Sequence, residues 1–332
     1  MDFSKCQCEQ AGWCSSFKKE MTNNPPNFQW CKGTSALDRE WFFNQDLTTP
    51  RILIKSHDER YAPVRYFFDK ISPQKHDVAI CVIAGNKIAI EQLNITKNNI
   101  IKYAKKCNAD YIELTGDQFP EYPMFNKYRL FQVTSKYQKT LYLDCDVIIK
   151  DDCPNLFKIT PDDKISGYDQ NEILRINDKI KQTNYYQEME TESKKVRIDF
   201  QINNDCYIQP NGGVLIIPQK LSDLYKQPDR PYNKTWCFDQ YYLSCFLTDD
   251  NFFNLNPIFN WEYIRHDFWQ YLDNAYIIHA DGSRPHTYRL KLLSNLIEKK
   301  YSYLPPPNPE LNSGHDGWRP VWFIESNYDS NT

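Results

Sequence analysis

Two aspartates stand one residue apart in the apolar segment TLYLDCDVII, residues 140–149. If this segment is a single β-strand, Asp144 and Asp146 point to the same side of it. Two carboxylates held close together raise each other's pKa unless a cation neutralises them. Carboxylate oxygens are ligands that Mg²⁺ and Mn²⁺ prefer. The pair therefore predicts a divalent-metal site, and the alternative is that one aspartate caps a turn while the other is solvated.

A second set of potential metal ligands lies near the N-terminus. Four of the 11 cysteines follow the pattern C-x-C-x5-C-x16-C, and they are Cys6, Cys8, Cys14 and Cys31. Four thiolates in a short segment with little core of its own predict a structural Zn²⁺. The spacing is not that of a standard zinc finger, so four unpaired cysteines or two disulfides stay open as alternatives. Cysteines in apolar context, such as Cys81, Cys145 and Cys245, are expected to be small buried core residues.

The composition of the 332-residue chain narrows the function classes. Forty basic residues against 43 acidic ones give a net charge of −3, which makes no case for a nucleic-acid or membrane surface. No apolar run approaches the roughly 20 residues of a membrane helix, and the polar start lacks the apolar centre of a signal peptide. We therefore expect a cytoplasmic protein without a membrane span, in which disulfides are disfavoured.

Alternating strand and helix patterns occupy residues 77–149. VAICVIAG, residues 78–85, is a continuous apolar run typical of a strand buried on both faces. A helix follows over 96–107, with Ile100, Ala104 and Cys107 at helical spacing. A short strand, DYIELTGD, comes next, and the segment then ends in the strand KTLYLDCDVII. This order predicts an α/β fold with a mostly parallel central sheet and right-handed crossovers.

The residues between those last two strands, 123–137, are predicted to form a second helix. Pro123 suits its first turn, and Met124, Tyr128 and Phe131 would share its inner face. Further along, the long polar stretch of residues 171–204 is expected to contain some helix with an exposed face.

Three domains are predicted along the chain. Residues 1–75 form a small Cys-rich module with a connector, 76–300 form the α/β domain, and 301–332 form a Pro-rich tail that packs Trp318 and Trp322 onto the body. The sequence contains neither a G-x-x-x-x-G-K-[ST] motif nor a G-x-G-x-x-G motif after a strand. A P-loop NTPase and a Rossmann dehydrogenase are therefore disfavoured.

The run from residue 125 to residue 157 resembles the D-x-D segment of GT-A glycosyltransferases. It is most similar to glycosyltransferase family 8, the glycogenin and galactosyltransferase type, in which a Lys-bearing helix leads to a strand ending in D-x-D and then to a Leu-Phe pair. Those places are occupied here by Lys127, Asp144, Asp146, Leu156 and Phe157. Further motifs in the family's order are GYDQ with Asp169, PNGGVLII with Asn211 and Gly212, FDQYYLS with Asp239 and Gln240, and IIHADGSRP with His279 and Gly282. The resemblance spans roughly residues 77–290 and implies a GT-A-like domain.

The resemblance implies a metal-dependent hexosyltransferase. It would move a sugar from a nucleotide-diphosphate sugar, by analogy a UDP-sugar, to a hydroxyl of an unidentified glycan, protein or other acceptor, with retention of anomeric configuration. Mn²⁺ or Mg²⁺ would be held by Asp144, Asp146 and His279. For His279 the alternative is a strand-end histidine bonded to a neighbour.

The resemblance also implies a donor site. Asn211, Asp239 and Gln240 would hold the sugar, and the remaining donor residues would be Ala84, Gly85, Asn86, Lys127, Asp144, Asp169, Gly212, Gly282 and Arg284. The nucleotide base would sit at residues 84–86, where Gly85 permits close backbone approach.

Several of these donor residues have structural alternatives. Asp239 suits a helix N-cap, Asp169 a turn and Lys127 a solvated helix face. The family's H-x-x-G-x-x-K-P motif is one residue shorter here and carries Arg284 in place of Lys, so either Arg284 or Lys291 is the expected diphosphate cation.

Two other functions compete with this interpretation. A sugar-nucleotidyltransferase needs a Gly-rich and Arg/Lys-rich loop after the first strand, but AGNKIAIEQ offers one Gly and one Lys. A non-catalytic binding module on a transferase fold should have lost a metal ligand, yet Asp144, Asp146 and His279 are all present. Glycosylation of a nucleic acid receives no support from the net charge.

Overall fold

The computed structural model describes the main α/β body of the chain. The described residues are 53–54, 61–62, 64–65, 69, 71–119, 123–171, 184–200, 202, 208–228, 232–233, 237–263, 268–281 and 286–300. The predictions made for the cysteines at 6, 8, 14 and 31, for Gly282 and Arg284, and for Trp318 and Trp322 lie outside these residues.

The chain divides into two compact units, residues 1–68 with 227–233 and residues 69–226 with 234–332. In the first unit, strands β1 (Leu53–Ile54) and β3 (Val64–Arg65) pair antiparallel, as do β2 (Tyr61–Ala62) and β10 (Tyr232–Asn233). All further elements and all described site residues belong to the second unit.

A six-stranded sheet forms the centre of the second unit. Its strands are β4 (Val78–Ala84), β5 (Asp110–Thr115), β6 (Lys139–Leu143), β8 (Ile165–Asp169), β9 (Pro210–Pro218) and β11 (Phe252–Asn254). Their order is β11-β8-β9-β6-β4-β5, and every pairing is parallel except those that β9 makes with β6 and β8. The predicted α/β fold with a mostly parallel central sheet is confirmed.

A smaller sheet continues from the central one. It contains β7 (Val147–Ile149), β12 (Trp261–Glu262) and β13 (Ile277–His279) in the order β12-β13-β7. β13 runs parallel to β12 and antiparallel to β7. The predicted single strand over residues 139–149 is therefore wrong, because β6 ends at Leu143 and β7 belongs to this second sheet.

Helices cover both faces of the central sheet. They are α1 (Lys87–Cys107), α2 (Phe131–Thr134), α3 (Leu156–Ile159), α4 (Asn184–Phe200), α5 (Phe238–Ser244), α6 (Phe268–Tyr271) and α7 (His286–Ile297). Short 3₁₀ helices occur at Pro123–Leu130, Gln219–Tyr225, Pro257–Phe259 and Leu272–Asn274. α4 confirms that the polar stretch contains helix. None of the described helices has the length and apolarity needed to cross a membrane.

Helix α1 starts earlier than its apolar spacing indicates. The side chain of Asn86 accepts a hydrogen bond from the Ala89 N–H at 2.9 Å, which caps the first turn. The helix ends at Asn108, whose φ of 55° is a left-handed cap. Ile100, Ala104 and Cys107 are buried as predicted, because α1 packs this face against the sheet.

The segment predicted as a second helix is mainly a 3₁₀ helix, Pro123–Leu130, which runs into α2. Pro123 is its first residue, as expected. Tyr128 is buried, but Met124 and Phe131 are partly exposed, and Phe125 and Leu130 are buried instead. The tighter winding of three residues per turn changes which side chains face inwards.

The core lies on both sides of the central sheet. Along β4, Ile80 and Val82 face a cluster with α1, while Ala79, Cys81 and Ile83 face the opposite cluster. Burial on both faces explains why the strand sequence is continuously apolar. Cys81, Cys145 and Cys245 are free and buried, so their prediction as small core residues is confirmed.

A buried ion pair anchors the region that precedes the sheet. The Arg129 side chain is 0% exposed and donates to both carboxylate oxygens of Asp69, at 2.9 and 2.5 Å. It also donates to the carbonyl oxygens of Gly116 and Thr115. This pairing satisfies a guanidinium that would otherwise be costly to bury.

Asp69→Ala is therefore expected to destabilise the protein by about 3–5 kcal/mol, because it leaves the buried Arg129 charge without an opposite charge. The free energy of unfolding from denaturant titration measures this. The matched control is Asp151→Ala, which breaks a pair with Lys102 in which both side chains are more than 60% exposed; it should leave the free energy of unfolding unchanged. Equal unfolding midpoints for the two variants would contradict the assignment.

Candidate functional site

The two aspartates occupy a turn between β6 and β7 that three other elements hold in place. The Asp144 N–H donates to the Gly213 carbonyl of β9 at 2.9 Å. The Thr96 hydroxyl of α1 donates to the Cys145 carbonyl at 2.8 Å. The Ala280 N–H, directly after β13, donates to the Asp146 carbonyl at 3.0 Å. The turn lies at the carboxyl end of β6, where ligands bind in open α/β sheets.

Strand pairing brings His279 to this turn. In the antiparallel pairing of β13 with β7, His279 lies opposite Val147, the residue after Asp146. Its Nε2 lies 3.3 Å from Asp146 Oδ1 and 3.8 Å from Asp144 Oδ2. The three side chains offer ligand atoms that all lie within 4.8 Å of one another. The structure therefore brings together the three residues for which metal ligation is predicted.

A glycine makes room for the imidazole. A Cβ atom placed on Gly213 would lie 2.2 Å from His279 Cε1, a distance that no side chain can tolerate. Gly213 also supplies the carbonyl that binds Asp144. Its lack of a side chain is thus a steric requirement of the site, and the sequence analysis did not identify it.

Two cationic side chains flank the carboxylates. Lys127 Nζ lies 3.7 Å from Asp144 Oδ1 and 3.6 Å from Asp239 Oδ2, and it donates to the Gly212 carbonyl at 3.1 Å. Arg289 Nη1 of α7 donates to Asp146 Oδ2 at 3.1 Å. Lys127 is therefore not a solvated helix lysine.

Burial and charge together set the pKa values at this site. Burial lowers the pKa of Lys127, but the carboxylates of Asp144 and Asp239 raise it by more, so the amine stays charged. Burial raises the pKa of Asp146, and the neighbouring His279 and Arg289 reverse that effect and hold it well below its usual range. Burial also raises the pKa of Asp239, and the charge of Lys127 offsets only part of the rise.

Two of the three predicted sugar-binding residues, Asp239 and Gln240, line one small cavity next to Lys127. Its lining includes Lys127, Gly212, Asp239 and Gln240. A Cβ on Gly212 would lie 2.6 Å from Lys127 Nζ and 2.8 Å from Gln240 Nε2, so Gly212 allows both side chains to approach the strand. Asp239 lies in the first turn of α5, and Cys237 occupies the N-cap position. The N-cap alternative for Asp239 is therefore wrong.

Asn211 and Asp169 are both buried at the ends of central strands. Asn211 Oδ1 accepts the Gly213 N–H at 2.8 Å, and its Nδ2 donates to Glu262. Asp169 Oδ1 accepts the N–H groups of Asn171 and Gln209, both at 3.0 Å. These hydrogen bonds make Asp169 a turn-forming residue, which was the predicted alternative to a role in donor binding.

The residues predicted to contact the nucleotide base lie at the carboxyl end of β4, at the same edge of the sheet. Ala84 is the last residue of β4 and Asn86 is the N-cap of α1. A Cβ on Gly85 would lie 3.0 Å from the amide nitrogen of Asn126. Asn86 therefore caps helix α1. The group that lies close to Gly85 is the side chain of Asn126.

Sequence reasoning missed several residues at the site. Lys291 is exposed, whereas Arg289 on the same helix reaches Asp146. Asn260 Oδ1 lies 3.0 Å from His279 Nδ1, and Glu262 accepts hydrogen bonds from Asn211 and Gln170. No motif marks these residues, because their relevance depends on strand pairing. The register of β12 against β13, which places Glu262 beside His279, would have identified Glu262 as a site residue.

The three ligand groups fit a divalent metal. Ligands at right angles around an octahedral ion with bonds of about 2.1 Å lie about 3 Å apart, close to the 3.3 and 3.8 Å separations observed. Carboxylate oxygens suit Mg²⁺ and Mn²⁺, and the imidazole adds a nitrogen ligand that is typical of transition-metal ions. Glu262, His279 and Asp281 also lie within 4.8 Å of one another, but two side-chain amides already occupy Glu262 Oε1.

Comparisons with solved structures give only distant likenesses. A glycosyltransferase involved in glycosylation of the major capsid of PBCV-1 is 11% identical, with a TM-score of 0.42 over 65% of this chain and 98% of that one. The apo structure of the bifunctional glycosyltransferase WbbM is 12% identical, with a TM-score of 0.47 over 73% of this chain and 54% of that one. The glycosyltransferase GlyE of Streptococcus pneumoniae TIGR4 is 15% identical, with a TM-score of 0.38 over 76% and 64%. These likenesses are too weak to support an inference about function.

The sequence comparisons are more decisive. A search of curated proteins found no match. The family model described as glycosyl transferase family 8 matches residues 53–222, which is just over half of the chain and includes Lys127, Asp144, Asp146, Asp169 and Asn211. The match favours a glycosyltransferase over a sugar-nucleotidyltransferase. The chain belongs to glycosyl transferase family 8 and is a glycosyltransferase.

Proposed function

We propose that the protein transfers a sugar from a nucleotide-diphosphate sugar to a hydroxyl acceptor, with a divalent cation held by Asp144, Asp146 and His279. The observation that carries this proposal is the meeting of these three side chains, which come from the β6–β7 turn and from β13. The family match includes both aspartates, whereas His279 lies beyond it and rests on geometry and on its sequence motif.

The flanking residues suit a donor with a charged diphosphate. When bound, a divalent cation at this position supplies Lewis-acid stabilisation of the leaving group. Lys127 stays protonated between Asp144 and Asp239 and is placed to meet anionic oxygens. On α7, Arg289 rather than the exposed Lys291 contacts a proposed ligand residue, Asp146. Arg284, which lies outside the described residues, stays a predicted diphosphate-binding cation.

The sugar-binding role belongs to the residues around the small cavity. Asp239 and Gln240 line it together with Gly212, and Asn211 stands on the same strand one residue earlier. The fixed amide of Asn211 and the buried carboxylate of Asp239 are suited to hydrogen-bonding sugar hydroxyls. The nucleotide base is proposed to lie at residues 84–86, at the carboxyl end of β4.

The finer parts of the proposal rest on the family resemblance. They are uridine as the base, Mn²⁺ as the metal and retention of anomeric configuration. The anomeric proton signals of the product in ¹H NMR report the stereochemical outcome, and an inverted product would contradict retention. A structural Zn²⁺ at the four N-terminal cysteines stays a prediction on residues outside the described part of the chain.

The proposed role is tested by donor hydrolysis with a panel of nucleotide sugars, with and without Mn²⁺. We expect metal-dependent hydrolysis of one donor class. Asp146→Asn should reduce turnover by about a thousandfold, equivalent to about 4 kcal/mol, because the lost ligand charge weakens stabilisation of the leaving group. The control is Asp152→Asn, an exposed carboxylate in the turn after β7, which should leave turnover unchanged. Hydrolysis without metal, or an active and folded Asp146→Asn variant, would contradict the proposal.

A second expectation concerns pH. Burial lowers the pKa of His279, but Asp281 and Asp146 raise it by more, to about 10. An imidazole must lose its proton to bind a metal. Below this pKa, each bound cation therefore displaces about one proton, and Mn²⁺ affinity should weaken about tenfold for each unit by which the pH falls.

Calorimetric Mn²⁺ titrations at several pH values measure this coupling. His279→Gln should bind Mn²⁺ more weakly and lose most of the pH dependence. An affinity for the unmodified protein that does not change with pH would show that His279 is not a ligand.

A further inference from the structure

Strand β12 lies directly beside the ligand-bearing strand. It pairs in parallel with β13, so Trp261 lies opposite Ile278 and Glu262 opposite His279. Trp261 faces the apolar cluster of the second sheet and donates its indole N–H to the Phe268 carbonyl at 3.0 Å. The polar residues on either side of it, Asn260 and Glu262, are each 1% exposed. Buried polar side chains are normally hydrogen-bonded, so the partners of Asn260 and Glu262 indicate their roles.

Asn260 contacts the imidazole on the side away from the aspartates. Its Oδ1 lies 3.0 Å from His279 Nδ1. An amide oxygen only accepts hydrogen bonds, so His279 Nδ1 carries the proton in this contact. The lone pair of the neutral ring is then on Nε2, the atom that lies 3.3 Å from Asp146. Asn260 therefore selects the tautomer that a metal ligand at this position needs.

The other end of the same amide indicates that Asn260 serves the site rather than stability. Its Nδ2 is buried and has no hydrogen-bond partner among the described residues. A buried donor without a partner destabilises the fold, and an apolar side chain of similar size would avoid this. The contact with His279 gives a reason for an asparagine here.

Glu262 contacts Asn211, one of the predicted sugar-binding residues. Its Oε1 accepts hydrogen bonds from Asn211 Nδ2 and, at 2.8 Å, from Gln170 Nε2. The opposite end of the Asn211 amide accepts the Gly213 N–H at 2.8 Å. With both ends engaged, the Asn211 side chain has one orientation, which leaves its second N–H as a donor in a defined direction.

We propose that β12, together with Asn260 directly before it, positions two residues of the active site. Asn260 fixes the tautomer and orientation of His279 for metal binding, and Glu262 fixes Asn211 for binding of the nucleotide-sugar donor. This inference rests on the proposed function, and it assigns roles to two residues beyond the residues 53–222 that the family match covers.

The Asn260 part is tested with Mn²⁺ alone, by calorimetry on the full chain without donor. Asn260→Ala should weaken Mn²⁺ binding by about 10- to 100-fold. Asn260→Asp, which can still accept a hydrogen bond from the Nδ1–H of His279, should stay within about threefold of the unmodified protein. The control is Asn256→Ala, which removes the cap on the Ile258 N–H; it should lower the melting temperature without changing Mn²⁺ affinity.

Three outcomes decide this part. Equal Mn²⁺ affinity for Asn260→Ala and the unmodified protein would overturn the positioning role alone. Absence of Mn²⁺ binding by the unmodified protein would instead overturn the proposed function. If Asn260→Ala does not fold, ¹⁵N NMR of the Mg²⁺-saturated unmodified protein decides, because a proton on Nε2 rather than Nδ1 of His279 would overturn the inference.

The Glu262 part is tested with two variants that both lack the charge. Glu262→Gln keeps an oxygen that accepts from Asn211, whereas Glu262→Leu does not. At saturating Mn²⁺, Glu262→Leu should raise the donor KM at least about tenfold above that of Glu262→Gln, with a smaller change in kcat. Equal KM values would overturn the role of Glu262. Glu262→Met, which fills similar space, replaces the leucine variant if that variant does not fold.

Discussion

The crowding of negative charge at the β6–β7 turn is the constraint on which the site depends. Asp146 is buried and Asp144 partly exposed, and both lie within 4 Å of the same imidazole nitrogen. Like charges at this separation are tolerable only where cations face them. Lys127, Arg289 and the imidazole of His279 all face this turn, each from a different element. The elements around the turn therefore place three basic side chains beside the two aspartates.

The same arrangement makes the site suitable for transfer from an anionic donor. Backbone hydrogen bonds from β9 and β13 and a threonine hydroxyl from α1 fix the turn, so the carboxylates do not have to be ordered when a ligand arrives. Such preorganisation is the main way in which a site stabilises charge that develops during a reaction. Because Gly212 and Gly213 of β9 have no side chains, those of Lys127, Gln240 and His279 can lie against the backbone of this strand. Asn260 and β12 form an outer layer that keeps His279 and Asn211 in one orientation.

The sequence predicted the parts that depend on local pattern or on order along the chain. The β4 strand, the mostly parallel sheet and the meeting of Asp144, Asp146 and His279 were all expected. The break after Leu143 was not, because apolar residues continue into β7 and periodicity cannot show that two strands belong to different sheets. Arg289, Asn260 and Glu262 were missed because only the pairing of β12 and β13 and the packing of α7 bring them to the site. The alternative role of Asp239 as an N-cap was wrong, because Cys237, with a φ of 55°, takes that position.

The central claim is that Asp144, Asp146 and His279 hold one divalent cation. Anomalous X-ray scattering from crystals grown with Mn²⁺ and a nucleotide diphosphate tests it most directly. We expect one strong manganese peak bonded to a carboxylate oxygen of each aspartate and to His279 Nε2, with diphosphate oxygens completing the coordination. A nucleotide bound without a peak at these three residues, with Arg289 still paired to Asp146, would contradict it.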